Sequence, residues 1–364
     1  MIDDRLKYIF LEIIKIEGLS GQEEQVAEYI KNFLKNLNLN PKIDKSYLKT
    51  NSNTGNVICR IGRGGDFVLC CHMDTARSTK GVKPVLKKDR ITSDGKSVLG
   101  VDNRAGIAVL LYLTEKIIKE KTSFNDFTLA FTTCEETSLG GSMNLDLNGR
   151  IKRGFIFDSY QNPGKYINSS YGAASFIINI VGKAAHSGIE PEKGINALQI
   201  AVAALTKIKV GKLKDGTTIN FGKIEGGSGT NVVPEKISII GEVRSNTMEK
   251  VEKYISIISE KFINAAVKLN GRIEFEWDWD FKQYKIKSNS KIIKEIENAI
   301  SSAGLKPEQA ITKGGSDANS FNENGIQSIN LGIGAKNPHS NDEFILLEDL
   351  QKSFTIAYEL VRKK

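Results

Sequence analysis

Histidines and carboxylates collect in this chain where apolar runs end. His72 and Asp74 follow DFVLCC, Glu135 and Glu136 follow FTLAFTT, Asp158 closes GFIFD, and His339 lies a few residues past IQSINLGIG, while Asp102 immediately precedes a helical stretch. Imidazole nitrogen and carboxylate oxygen together suit a hard-to-borderline divalent ion such as zinc, cobalt or manganese. Neighbouring strand residues point to opposite faces, so the adjacent Glu135 and Glu136 ask for different partners. Each residue alone has a plain structural reading. Asp102 suits a helix cap, Asp158 a turn, and Glu135 with Glu136 an acidic helix N-terminus. The histidines weigh against those readings, because the chain has only three, His72, His186 and His339, each at a strand end or in a glycine-rich context.

Such groups need elements to bring them together. The stretch SGQEEQVAEYIKNFLKNL opens with Ser20 and Glu23 at capping-box spacing and carries an apolar stripe, which predicts a helix on a flat surface. NVICRI (56 to 61) and DFVLCC (66 to 71), separated by GRGG, read as paired strands. RAGIAVLLYLTEKIIKE reads as a helix capped by Asn103, followed by the strands FTLAFTT, GFIFD and, much later, IQSINLGIG. Strands alternating with helices predict an α/β sheet, whose ligand crevice lies beyond the carboxyl ends of the strands. From about Ser175 the rhythm changes to strand, helix, strand, strand, helix, strand. That βαββαβ order is the split-βαβ sandwich. The expected organisation is a metal-binding domain of residues 1–174 and 284–364, interrupted by a domain of residues 175–283.

Composition excludes several function classes. The 364 residues carry a formal charge of +8, but the lysines interleave with acids and no basic run alternates with aromatics, so nucleic acid is not an expected partner. No apolar run is long enough for a bilayer. The start, MIDDRLKYIFLEIIKIEG, has early acids and a helical period, unlike a secretory signal, and the expected location is the cytoplasm. Four cysteines without a CxxC spacing read as reduced core thiols. Cys70 and Cys71 before His72 make weaker metal-ligand candidates, since one of the two must face away.

CHMDTA, LGVDNRAGIA, FTTCEETSLGG, the Asp of IFDSYQNPG, GKAAHSGIEPEKGINA, GGSDANSF and NPHSNDEF, in that order across nearly the whole chain, resemble the dinuclear zinc exopeptidases of the peptidase T, carboxypeptidase G and aminoacylase family, nearest its peptidase T-like branch. The resemblance implies an α/β zinc-aminopeptidase-like catalytic domain with an inserted ferredoxin-like lid or dimerisation domain. It further implies two divalent ions, zinc foremost, with Asp102 bridging, His72 and Asp158 completing one site and Glu136 and His339 the other. Glu135 is then the general base, Asp74 the partner of the His72 ring, and His186 a lid histidine that stabilises the oxyanion, commonly of the neighbouring subunit in a homodimer. Asn231 and Arg244 match lid positions that contact substrate; as plain structure they are a turn-capping Asn and a strand Arg facing solvent. The chain departs from peptidase T in HMDTARS, where Ala76 and Arg77 stand instead of an acid, and in GVDNRAG, where Asn103 replaces the second acid. Expected activity is hydrolysis of an amide bond in a small peptide by an aminopeptidase or tripeptidase. The alternatives are an N-acyl or carbamoyl amino-acid amidohydrolase and, further off, a non-catalytic binding homologue.

Overall fold

The computed structural model describes residues 2–147 and 149–363. It divides into two compact units. The first comprises Met1–Ser169, Tyr284–Thr312 and Ser316–Lys364, and the second Ser170–Gln283 with Lys313–Gly315. The second unit starts earlier than the expected residue 175 because its first strand, Gly172–Val181, is already paired at Gly172 with Ser245.

Among the described residues the first unit is built on a nine-stranded sheet, with β1 Lys42–Ile43, β2 Val57–Ile61, β3 Phe67–His72, β4 Phe127–Thr132, β5 Arg153–Ser159, β6 Lys165–Ser170, β7 Tyr284–Lys285, β8 Glu308–Thr312 and β9 Gln327–Gly332. Their order is β1-β2-β4-β3-β5-β9-β6-β7, with β8 on β6. At the centre β4, β3, β5 and β9 run parallel. Every residue of β3 and β4 is buried, as central parallel strands covered on both faces require, which explains their unbroken apolar runs. Parallel order also sends the last residues of all four strands to one edge of the sheet.

The expected pairing of β2 with β3 does not occur, because β4 lies between them, antiparallel to β2 and parallel to β3. The GRGG connection therefore crosses the start of β4 instead of closing a hairpin. A Cβ on Gly65 would sit 1.8 Å from the Asp126 carbonyl oxygen, and Gly65 holds φ +53°, so the crossing needs glycine there.

The buried helix Val101–Lys119 takes helical dihedrals only after Asn103, whose Oδ1 accepts the Gly106 N–H at 3.1 Å, the cap expected from sequence. Helix Glu24–Lys35 buries Val26, Ala27, Ile30 and Leu34, but its predicted capping box is not formed. Glu23 is fully buried and turns inward, and Ser20 meets Thr137 at 2.9 Å.

The second unit carries its own core, in which Phe176, Ile178, Ile239 and Val243 of the sheet pack with Ile200 and Phe262 of the helices. Its antiparallel sheet has the order Gly211–Lys212, Thr218–Gly226, Lys236–Ser245, Gly172–Val181, Arg272–Phe281, with helices Ala197–Leu205 and Met248–Lys268. This is the βαββαβ arrangement plus one short edge strand.

Candidate metal centre

The carboxyl ends of the central strands deliver the donors. His72 is the last residue of β3, Asp158 lies near the end of β5, Glu136 follows β4, and His339 lies in the loop beyond β9. His72 Nε2 lies 3.1 Å from both Asp102 Oδ1 and Asp158 Oδ1. His339 Nε2 lies 3.4 Å from Asp102 Oδ2 and 3.1 Å from Glu136 Oε1. Two triads thus form, His72–Asp102–Asp158 and Asp102–Glu136–His339, each with donor atoms within 4.8 Å of one another. They share Asp102, which turns one oxygen toward each. Glu135 belongs to neither, although its Oε2 comes to 4.0 Å from His72 Nε2.

The group fits divalent cations on its own chemistry. Nitrogen and oxygen donors of this mix suit zinc, cobalt and manganese. Glu136 Oε1 is buried and faces His339 Nε2 at 3.1 Å, another candidate ligand atom, so a cation between the two would satisfy both. The charge balance agrees. Burial pushes Glu135 well above the usual carboxylate range, with repulsion from Asp158 and Glu136 adding to it and His72 opposing. Burial also raises Glu136 and Asp158. Burial alone would lower His72, but Glu135, Asp102, Asp158 and Asp74 together hold it well above its ordinary value. Bonds to Asp102 and Glu136 lift His339 to about 10. So many acids in so little water call for positive charge, supplied by protons or by metal ions.

The turn that carries Glu135 and Glu136 is held by side chains from three segments. The Thr133 N–H donates to Asn56 Oδ1 at 3.1 Å, Cys134 N–H to Glu23 Oε1 at 2.9 Å, Glu135 N–H to Asp74 Oδ1 at 3.1 Å, and Glu136 N–H to Asp74 Oδ2 at 3.0 Å. Four successive amides are satisfied in this way, and Cys134 between them sits in the left-handed region at φ 52°. Asp74 also faces His72 Nδ1 at 3.2 Å, where it orients the ring. Glu343 secures the other side. Its buried carboxylate accepts the Gly100 N–H at 2.6 Å and the Asp102 N–H at 3.1 Å, and burial lifts it to about 7.

Of the residues singled out in sequence, His72, Asp74, Asp102, Glu135, Glu136, Asp158 and His339 come together. Glu23, Asn56 and Glu343 were not foreseen as part of the site. Glu343 stood inside NPHSNDEF and Glu23 inside a supposed capping box, while nothing local marks Asn56. All four cysteines are buried free thiols; Cys70 and Cys71 belong to the core cluster and to neither triad.

His186, Asn231 and Arg244 belong to the second unit. His186 is exposed, its Nδ1 accepting the Gly188 N–H at 3.2 Å, and it pairs across a bridge with Val232, beside exposed Asn231. Arg244 forks onto Glu242 at 3.0 and 2.9 Å and donates to the Lys313 carbonyl at 3.2 Å.

Comparison with known proteins accords with this architecture. The peptidase dimerisation domain model of the M20 family matches residues 168–270. The Bacillus subtilis protein YqjE is 30% identical over 99% of this chain and 98% of its own length. Peptidase T of Haemophilus influenzae is 24% identical over 92% of this chain and 82% of its own. Among solved structures, a Staphylococcus aureus tripeptidase superposes with a TM-score of 0.94 at 28% identity, and aminopeptidase PepT of Bacillus cereus with 0.90 at 29%, each covering 99% of this chain and 98% of its own. A dinuclear metal-binding M20 peptidase of Bacillus subtilis, 16% identical with a TM-score of 0.73, shares the fold.

Fold and site together define a hydrolase of mixed α/β fold, with a group of residues that could hold metal ions around a shared carboxylate and with an inserted dimerisation-type domain. The chain belongs to the M20 family of peptidases.

Proposed function

We propose that the protein is a peptidase T-like exopeptidase of aminopeptidase or tripeptidase type, acting on small peptides with two divalent ions, zinc foremost. The observation that carries this is the pair of triads sharing Asp102, with Glu135 beside them and outside both. His72 and Asp158 would hold one ion, Glu136 and His339 the other, and Asp102 both. Such ions, when bound, polarise a carbonyl and bring the pKa of water toward neutrality. Glu135 has the protein's part in the proton's path: it accepts a proton from the attacking water and returns it to the departing amine. Its backbone and that of Glu136 are held by Asp74, which keeps the base and the ligand from exchanging roles. His186 supplies a donor for the developing oxyanion, and Asn231 and Arg244 contact substrate. A homodimer in the cytoplasm is the assembly and setting that go with this reading.

A second reading, an N-acyl or carbamoyl amino-acid amidohydrolase, is favoured by one observation. Arg77, exposed in HMDTARS, donates to the His339 carbonyl at 3.2 Å, which puts a cation where a free substrate ammonium would want an acid. The test is hydrolysis of free tripeptides, free dipeptides and their N-acetylated forms by metal-stripped protein with zinc, cobalt or manganese restored. Metal-dependent cleavage of free peptides alone supports the exopeptidase. Cleavage of acylated substrates alone moves the protein to the amidohydrolase, and silence with two ions bound refutes both.

A further inference from the structure

A cavity of about 700 Å³ lies in the first unit and shares no residue with the two triads. Its volume falls within the range of small-molecule sites. One wall is Asn40 to Lys49 together with Ile58, Arg60 and Gly62 from the edge of the sheet. The other is Asn144 and Asp146, just beyond the short helix Gly140–Met143 that follows the Glu135–Glu136 turn.

The chemistry of the lining selects its occupant. Lys42, Lys45, Lys49 and Arg60 border the cavity, and among the described residues none has a carboxylate within ion-pair distance. Asp44 is turned toward neutral amide donors. Its Oδ1 accepts the N–H groups of Ser46 and Asn56, each at 2.9 Å, and its Oδ2 accepts Asn56 Nδ2 at 2.8 Å. Half-buried Ile43 and Ile58 give apolar surface between the cations. Four cations against the two carboxylates Asp44 and Asp146 leave the lining net positive around an apolar floor, which suits an organic anion with an apolar body and carboxylate or phosphate groups.

The floor is wired to the catalytic turn. Asn56, fully buried and held by Asp44, gives Oδ1 to the Thr133 N–H at 3.1 Å and donates Nδ2 to the Gly141 carbonyl at 2.9 Å, so it grips the turn on both sides of Glu135 and Glu136. A ligand spanning the two walls would therefore fix where the 133–146 segment sits relative to the sheet. We propose that this cavity is a regulatory site for a small organic dianion, whose occupancy alters turnover through Asp44, Asn56 and the turn that holds the base. Only the turnover readout rests on the peptidase reading; binding does not.

Naphthalene-2,6-dicarboxylate and 2-naphthyl phosphate, dianions on the same apolar body, are the probes. Calorimetry on the metal-loaded protein is expected to find a site whose affinity falls tenfold or more in Lys45→Glu/Arg60→Glu and, with less risk to folding, in Lys45→Gln/Arg60→Gln. Preference for one probe identifies carboxylate or phosphate as the natural head group. A probe should change kcat at least twofold in the wild type, and both variants should need tenfold or more probe for the same change, with metal content equal throughout. Equal affinity in wild type and both variants, no binding of either probe, or binding that leaves kcat untouched would each overturn the proposal. Absence of peptide hydrolysis together with charge-dependent binding would count against the peptidase reading and leave the site standing.

Discussion

In the proposed function Asp74 positions both the base and a metal ligand, and Asp74→Asn tests that role with almost no change of shape. Two N–H donors converge on its carboxylate, from Glu135 at 3.1 Å and Glu136 at 3.0 Å, and the His72 ring, whose Nδ1 meets the Asp74 backbone carbonyl at 3.1 Å, lies 3.2 Å from Oδ1. Burial alone would raise this carboxyl, but the bond and charge of His72 outweigh it and hold it below the usual range, so the acceptor is a carboxylate. An amide keeps one acceptor oxygen and replaces the other with an NH₂ group. At least one buried N–H then faces a donor, a loss of about 1–3 kcal/mol, and the remaining bonds lose their charge assistance. Because about 1.4 kcal/mol is a factor of ten, and a lost partner of a ligating histidine costs roughly 10–100-fold in metal affinity or activity, the two scales agree. Metal retention during dialysis against graded chelator, measured by elemental analysis, should fall by that factor. Turnover at saturating metal should fall as well, because Glu135 and Glu136 lose their shared anchor. Retention and turnover both within twofold of wild type would refute the argument that Asp74 positions the ligand and the base together.

Glu135→Gln should keep most of the metal and lose turnover by about a hundredfold or more, as expected for a general base; near-normal rates in steady-state assays would remove it from that role. His186→Ala, from the second unit, should spare metal content while lowering kcat, whereas unchanged kinetics would leave that histidine structural. Glu115→Gln removes the bonds at 2.7 and 3.1 Å from Arg5, which join the helices Asp4–Ile13 and Val101–Lys119. Burial pushes the Glu115 carboxyl up, but Arg5 and Lys119 outweigh it and leave it below its ordinary value. Its contribution is therefore complete above an unfolded pKa of about 4.3 and is lost as pH falls through the lower folded value. Denaturant unfolding should show a deficit of about 1 kcal/mol at pH 7, Arg5 being partly exposed, that shrinks as the solution is acidified below the unfolded pKa; a gap independent of pH would contradict the sign.

The candidate donors and their local scaffolding were legible in the residue types and their periods. Residue type made His72, Asp102, Glu136, Asp158 and His339 candidates, and the places of all but Asp102 at or just past the ends of apolar runs put those four near one edge of a parallel sheet. The cap at Asn103 was legible too, because a cap and the amide it serves lie three residues apart. The βαββαβ insert was legible from period alone. Tertiary structure decided the rest, because the deciding partners are far apart in the chain. The place of β4 between β2 and β3 depends on a strand more than fifty residues away. Glu23 has the spacing of a capping box, yet its carboxylate accepts the N–H of Cys134, 111 positions on, because a buried turn amide needs an acceptor more than a solvated helix end does. Asn56 carries no sequence signal at all and still joins Asp44, Thr133 and Gly141. Residue types with distinctive chemistry can be read one at a time, whereas hydrogen-bond partners for buried amides are chosen only once the strands have been laid side by side.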